Sequence, residues 1–136
     1  MATEVLEHCT DSKIVLMEIH RVLKKGGSLI FTVPFLWPLH EVPYDHYRFT
    51  PFALQSYLSD SGFRKSELQM LSGWDTSLAQ VMALWVVRRP GIDPILRRLL
   101  RWIFRPIVGL LHKTDSKPND FGENQMITGL SGIAQK

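Results

Sequence analysis

Between Asp11 and Leu23 the apolar residues Ile14, Val15, Ile19, Val22 and Leu23 recur at helical spacing, with Asp11 or Ser12 placed to cap the start. The pattern predicts an amphipathic helix that ends at Lys24-Lys25-Gly26-Gly27. There the lysines suit the negative end of the helix dipole and a glycine can adopt the left-handed conformation. The next seven residues, Ser28 to Pro34, are mostly apolar, rich in β-branched and aromatic types, and closed by a proline, which is the profile of a buried strand. Helix, paired glycines and buried strand together predict an α/β unit.

The periodicity then stops. Pro34, Pro38, Pro43 and Pro51 punctuate a stretch that also holds Trp37, His40, Tyr44, Asp45, His46, Tyr47 and Arg48, a composition suited to a rigid loop and to no regular element. Thr50-Pro51 reads as an N-cap with proline in the first helical position, and Asp60-Ser61-Gly62 as the end of that helix. Phe63 to Leu71 alternates weakly and predicts a second strand. Ile127 to Ala134 predicts a third, in which Gly129 and Gly132 mark a bulge or close packing.

Residues 77–112 carry a different pattern. Six arginines fall between Arg88 and Arg105 with only Asp93 to oppose them. On a helical wheel Arg97, Arg98, Arg101 and Arg105 gather on one side, and Leu96, Leu99, Ile103, Ile107 and Leu110 on the other, predicting a basic amphipathic helix with Pro106 as a kink site. Lys113 to Asn124 is polar and reads as an exposed connector.

Length and composition narrow the options without deciding function. At 136 residues the chain has room for one domain, and 45% hydrophobic with 21% charged residues is ordinary globular usage. The net charge of +3 is too small to imply a nucleic-acid partner, and no RNA-binding motif accompanies the arginines. The single cysteine, Cys9, excludes an internal disulfide and is expected to pack, which fits a reducing, cytoplasmic setting. The opening residues, with Glu4, Glu7 and His8, lack the basic and then apolar order of a signal peptide. No apolar run is long enough to cross a bilayer of about 30 Å.

Thr3-Glu-Val-Leu-Glu-His8, the helix ending in Arg21-Val-Leu-Lys-Lys-Gly-Gly27, and the strand Ser28 to Pro34 resemble the second half of class I S-adenosylmethionine (SAM)-dependent methyltransferases. Lys25 stands where that family usually has proline. The likeness continues through Pro43-Tyr-Asp-His-Tyr-Arg-Phe-Thr-Pro51 to Gly62-Phe63, and Gly129 to Lys136 is similar to the family's seventh strand. The resemblance implies an α/β, partial Rossmann-like methyltransferase fold: strands 5, 6 and 7 of the family sheet, flanking helices and an arginine-rich helical insert. It divides the chain into a family core part at 1–71, a helical insert and connector at 72–126, and a final strand at 127–136. The glycine-rich turn that normally receives SAM is absent from the sequence. The expectation is therefore a C-terminal fragment with Met1 inside strand four, leaving strand five with an open edge prone to self-association.

The resemblance implies methyl transfer from SAM to a small metabolite or glycan precursor, with Thr3, Glu4 and Val5 near the cofactor. The rival reading is a non-catalytic remnant working as an interaction or membrane-surface module. His46 and His40 are candidate general bases, since histidine titrates near neutral pH. Tyr44, Asp45, Tyr47 and Arg48 are candidate substrate contacts, against the plainer reading that Asp45 and Arg48 pair to pin the loop. If their turn is helical, Glu4, Glu7 and His8 share a face. The same pattern resembles the Mg²⁺-binding turn of small-RNA 2′-O-methyltransferases and ubiquinone-pathway O-methyltransferases, with His46 as a further ligand. This implies Mg²⁺ and RNA 2′-O-methylation as a third reading, against a turn kept for capping and packing. The basic helix, 94–112, is read as a core-packed lid or as a peripheral contact with anionic membrane.

Overall fold

A computed structural model describes all residues, 1–136, and divides them into two compact units: Met1–Leu71 with Gly129–Lys136, and Ser72–Thr128.

The first unit is a four-stranded sheet with helices. Its elements in chain order are strand β1 (Ala2–Thr3), a single 3-10 turn at Leu6–His8, helix α1 (Ser12–Val22), strand β2 (Ser28–Pro34), helix α2 (Pro51–Asp60), strand β3 (Lys65–Met70) and strand β4 (Gly129–Gln135). The spatial order is β1-β2-β4-β3. β1 runs parallel to β2, with Ala2 opposite Phe31 and Thr3 opposite Thr32, whereas β4 is antiparallel to both β2 and β3. This is a mixed α/β sheet consistent with a partial Rossmann-like fold.

The helix starts follow their capping chemistry. The Asp11 carboxylate accepts from the Ile14 N–H at 3.0 Å, and the Thr50 hydroxyl accepts from the Ala53 N–H at 3.2 Å. Past the end of α1, Gly26 takes a φ of +74° and the Gly27 N–H bonds the Lys24 carbonyl, a tight turn that a side chain at Gly26 would strain. The core of the unit is formed by Leu6, Leu16, Phe31, Val33, Leu54, Leu58 and Leu130, each fully buried.

Three expectations need correction. The sheet has a fourth strand, because Ala2–Thr3 pairs with β2, so the edge of β2 is covered over two residues instead of fully open. β3 begins at Lys65: Phe63 is taken up in the turn out of α2, where its N–H bonds the Leu58 carbonyl, and Arg64, whose N–H bonds the Gln135 carbonyl of β4, leads into the strand. β4 begins at Gly129, after Ile127 and Thr128.

The second unit contains α3 (Trp74–Arg88) and α4 (Pro94–Thr114), which pack on each other, with Trp85 and Phe104 at 6.3 Å between ring centroids. They are separated at Arg89–Asp93, where Gly91 has a φ of +77°. The Asp93 carboxylate caps α4 through the Ile95 and Leu96 N–H groups, and Asp115 accepts from the Gly73 and Thr76 N–H groups at the start of α3. α4 runs through Pro106 as one helix. No helix is long and apolar enough to cross a membrane.

Candidate functional site

β1 and β2 are parallel neighbours, so their carboxyl ends lie on the same side of the sheet, the side on which open α/β sheets present ligand sites. The segments that leave these ends are the turn through Leu6–His8 and the proline-rich loop 35–50.

At the end of β1, Glu4 adopts a φ of +52° while its N–H bonds the Thr32 carbonyl at 3.0 Å. A non-glycine residue in the left-handed region stores strain, and such strain concentrates at functional sites. Thr3, Glu4 and Val5 are exposed along this ledge. The chain then dives: Leu6 and Glu7 are fully buried, and the Ser12 hydroxyl donates to the Leu6 carbonyl at 2.6 Å, anchoring the turn to α1.

The loop after β2 is fastened onto this turn by its backbone. The Glu7 carbonyl accepts from the N–H groups of His46 and Tyr47, at 2.9 and 3.2 Å. The Tyr47 hydroxyl donates to the Thr10 carbonyl at 2.8 Å, and His8 Nδ1 lies 3.1 Å from the Tyr44 carbonyl oxygen. Glu41, with a φ of +50°, and the cis Val42–Pro43 peptide sit where the loop reverses.

Inside the loop Asp45 and Arg48 are a bidentate pair at 2.5 and 2.8 Å, the geometry of strong charge-assisted bonding. Arg48 also donates to the carbonyls of Trp37, Pro38 and Tyr47. Asp45 accepts in addition from the His40 N–H. The guanidinium beside it holds the Asp45 carboxyl well below the usual carboxylate range. Both side chains are thus engaged within the loop, while Tyr44 is 64% exposed and His46 is exposed.

The fold brings Glu7, His8 and His40 together: one ligand atom from each lies within 4.8 Å of the other two. The His8 and His40 rings meet edge-on at 4.7 Å, and His8 Nε2 is 3.6 Å from Glu7 Oε1. Neither Glu7 carboxylate oxygen has a hydrogen-bond partner, although the residue is fully buried. Burial therefore pushes the Glu7 carboxyl above its ordinary value, with the Glu4 charge adding to the rise. Because His8 Nδ1 faces a carbonyl, which only accepts, a proton belongs on Nδ1, and Nε2 is the ring nitrogen turned toward Glu7. His40 Nδ1 lies 3.3 Å from Asp45 Oδ2 but makes no hydrogen bond. One buried carboxylate without donors and two imidazoles, one of them oriented by the Tyr44 carbonyl, form a donor set that fits a divalent metal. Two nitrogens and one oxygen suit zinc, manganese or iron better than Mg²⁺, which prefers oxygen. Glu4 and His46, which the sequence groups with Glu7 and His8, are outside this cluster, and His40 occupies it instead.

Residues 1–31, the β1–α1–β2 part of the chain, match the methyltransferase domain family. Comparison with curated proteins finds no match. Among solved structures the chain is similar to Haemonchus contortus phosphoethanolamine N-methyltransferase 2 in complex with phosphomonomethylethanolamine and S-adenosylhomocysteine, at 12% identity and a TM-score of 0.49. The alignment covers 98% of this chain and 31% of that one, so the chain spans less than a third of the length of its neighbour.

Proposed function

We propose that the chain forms the acceptor side of a SAM-dependent methyltransferase acting on a small metabolite or glycan precursor. The observation that carries this reading is the clamping of loop 35–50 onto the turn after β1, at the carboxyl ends of two parallel neighbouring strands. The exposed ledge Thr3–Val5 faces the cofactor in this reading, and Tyr44 and His46 meet the acceptor. Asp45 and Arg48 act indirectly, by holding the loop in shape.

Methyl transfer is an in-line displacement: the acceptor atom gains the methyl carbon, the carbon–sulfur bond breaks, and the sulfonium becomes a neutral thioether. Alignment supplies much of the rate. A hydroxyl acceptor must also lose its proton, and His46, exposed on the loop, or His40, beside Glu7, is the base in reach of that side of the sheet. A metal held by Glu7, His8 and His40 would supply Lewis acidity toward an acceptor oxygen.

The test is SAM binding by calorimetry on the gene product purified from its own cells, with its intact mass recorded on the same sample. Saturable SAM binding supports the reading. A product that takes up no SAM at millimolar concentration, whatever its mass, overturns it. The rival reading, a non-catalytic module working through a surface, is favoured by one observation: no residue of α4 is buried.

A further inference from the structure

The second unit contains a helix, α4, whose solvent face is hard to account for by packing within the chain. Around the axis of α4, at 100° per residue, three stripes can be distinguished. Leu100, Phe104, Val108 and Leu111 are half-buried, and Phe104 meets Trp85 of α3, so this stripe is the packed one. Beside it, within roughly 60° of one another on the same geometry, lie the exposed Arg98, Arg101 and Arg105. The remaining arc, roughly 140° wide, is apolar and open to solvent from Ile95 to Leu110, with Lys113 entering it only in the last turn: Ile95, Leu99, Trp102, Ile103, Ile107 and Leu110 are all exposed, Trp102 by 76% and Ile95 by 80%. The only carboxylate bordering the N-terminal turn, Asp93, is occupied in capping it.

From this arrangement we infer that α4 is a surface-lying membrane helix, which sinks its Ile95–Leu110 face into the acyl boundary of a bilayer while Arg98, Arg101 and Arg105 meet anionic lipid headgroups. Charge complementarity selects this occupant. The arginine stripe borders the apolar arc on one edge, with Arg98 next to Trp102 around the axis, so that one docked orientation satisfies both stripes at once. An indole at that border sits where amphipathic rings settle at headgroup depth. The helix is about 30 Å long at 1.5 Å per residue, and lies along the interface without crossing it. This inference is independent of SAM binding and of methyl transfer.

Vesicle co-sedimentation of the full chain tests it, using phosphatidylcholine vesicles with and without 30 mol% phosphatidylglycerol. Binding is expected only with the anionic vesicles, accompanied by a blue shift of tryptophan emission that is reduced in Trp102→Phe. Each basic residue near an anionic surface strengthens partitioning by roughly fivefold. The triple reversal Arg98→Glu, Arg101→Glu, Arg105→Glu should therefore lower binding by more than about 100-fold, and raising the salt should weaken the wild type. Because the three arginines are exposed, circular dichroism of the reversed variant should match the wild type. A second variant, Arg98→Gln with Arg105→Gln, gives an intermediate loss if the charge is the cause. Equal sedimentation with and without phosphatidylglycerol, or binding unaffected by salt and by charge reversal, overturns the proposal. So does a failure of the wild type to bind anionic vesicles.

Discussion

His8 points its Nδ1 at the carbonyl oxygen of Tyr44, 3.1 Å away across 36 residues of sequence. That bond ties the turn after β1 to the loop after β2 and leaves His8 Nε2 facing Glu7. With His40 alongside, the trio has the donors of a borderline divalent metal. Adding Zn²⁺ or Mn²⁺ to metal-stripped protein should raise the melting temperature. At 100 times the dissociation constant the stabilisation is about 2.7 kcal/mol. Mg²⁺ should do less at equal concentration. His8→Ala and Glu7→Gln should each abolish the effect in differential scanning fluorimetry, and an unchanged metal response in both variants would remove the site.

Without metal, Glu7 is a buried carboxylate that destabilises the fold when charged. Its carboxyl is raised above the ordinary 4.5 by burial, so the penalty is absent at pH below that value. It grows as pH rises through the folded-state value and is complete above it. Glu7→Gln removes the charge while keeping the shape. The variant should melt a few degrees higher than wild type at pH 8 in the presence of chelator, and the gain should vanish near pH 4. Equal melting temperatures across that range would show that Glu7 is not penalised.

Asp45 shifts in the opposite direction. Its carboxylate, 2% exposed, is held charged first of all by the Arg48 guanidinium. A carboxyl lowered from 3.8 contributes stability that is fully present above about pH 4 and is lost as pH falls toward the folded-state value. Asp45→Asn should cost roughly 2–3 kcal/mol at pH 7, the scale of hydrogen bonds to a charged group. By urea unfolding, the difference from wild type should narrow below pH 4. A constant difference down to pH 2.5 would mean that the pair contributes through shape alone.

The short β1 leaves most of one edge of β2 unpaired, because only Phe31 and Thr32 have partners there. Ile30, half exposed, lies on that strand. Open edges with apolar side chains invite pairing between copies. Light scattering at tens of micromolar should show self-association, and Ile30→Lys should reduce it. A monodisperse monomer for the wild type would rule this out.

Much of the fold was legible because local chemistry decided it. Asp11, one of the two residues offered as a cap, and Thr50 cap their helices, and the apolar run from Ser28 to Pro34 is a strand over its full length. Strand limits shifted by two residues where a turn took the first positions, as at Phe63. The site was less legible. The position of Glu7 beside His8 follows from adjacency in a single turn, but which loop histidine approaches them depends on where the loop reverses. His40 and His46 lie on opposite sides of that reversal, with Glu41 in the left-handed region and a cis proline bond between them. No periodicity announces such a bend. Its one local clue is the cluster of prolines, which indicates rigidity without direction.

Gly132 shows how close the strands approach. It lies opposite Phe31 on one side and Leu68 on the other, in the interior strand of the sheet. A Cβ built there would overlap the fully buried Phe31 ring and stand 2.8 Å from Leu68 Cδ2. Neither neighbour is a flexible chain end on the surface, so Gly132→Ala must displace the core, at a cost of about 1–3 kcal/mol. Gly109 in α4 offers the contrast, since nothing lies within 4 Å of a Cβ added there. Gly109→Ala should be neutral or stabilising by up to about 1 kcal/mol, from helix propensity alone. Urea unfolding followed at β-sheet and helical wavelengths separates the two. If Gly132→Ala unfolds at the wild-type midpoint, the Phe31 ring has room that this packing denies it.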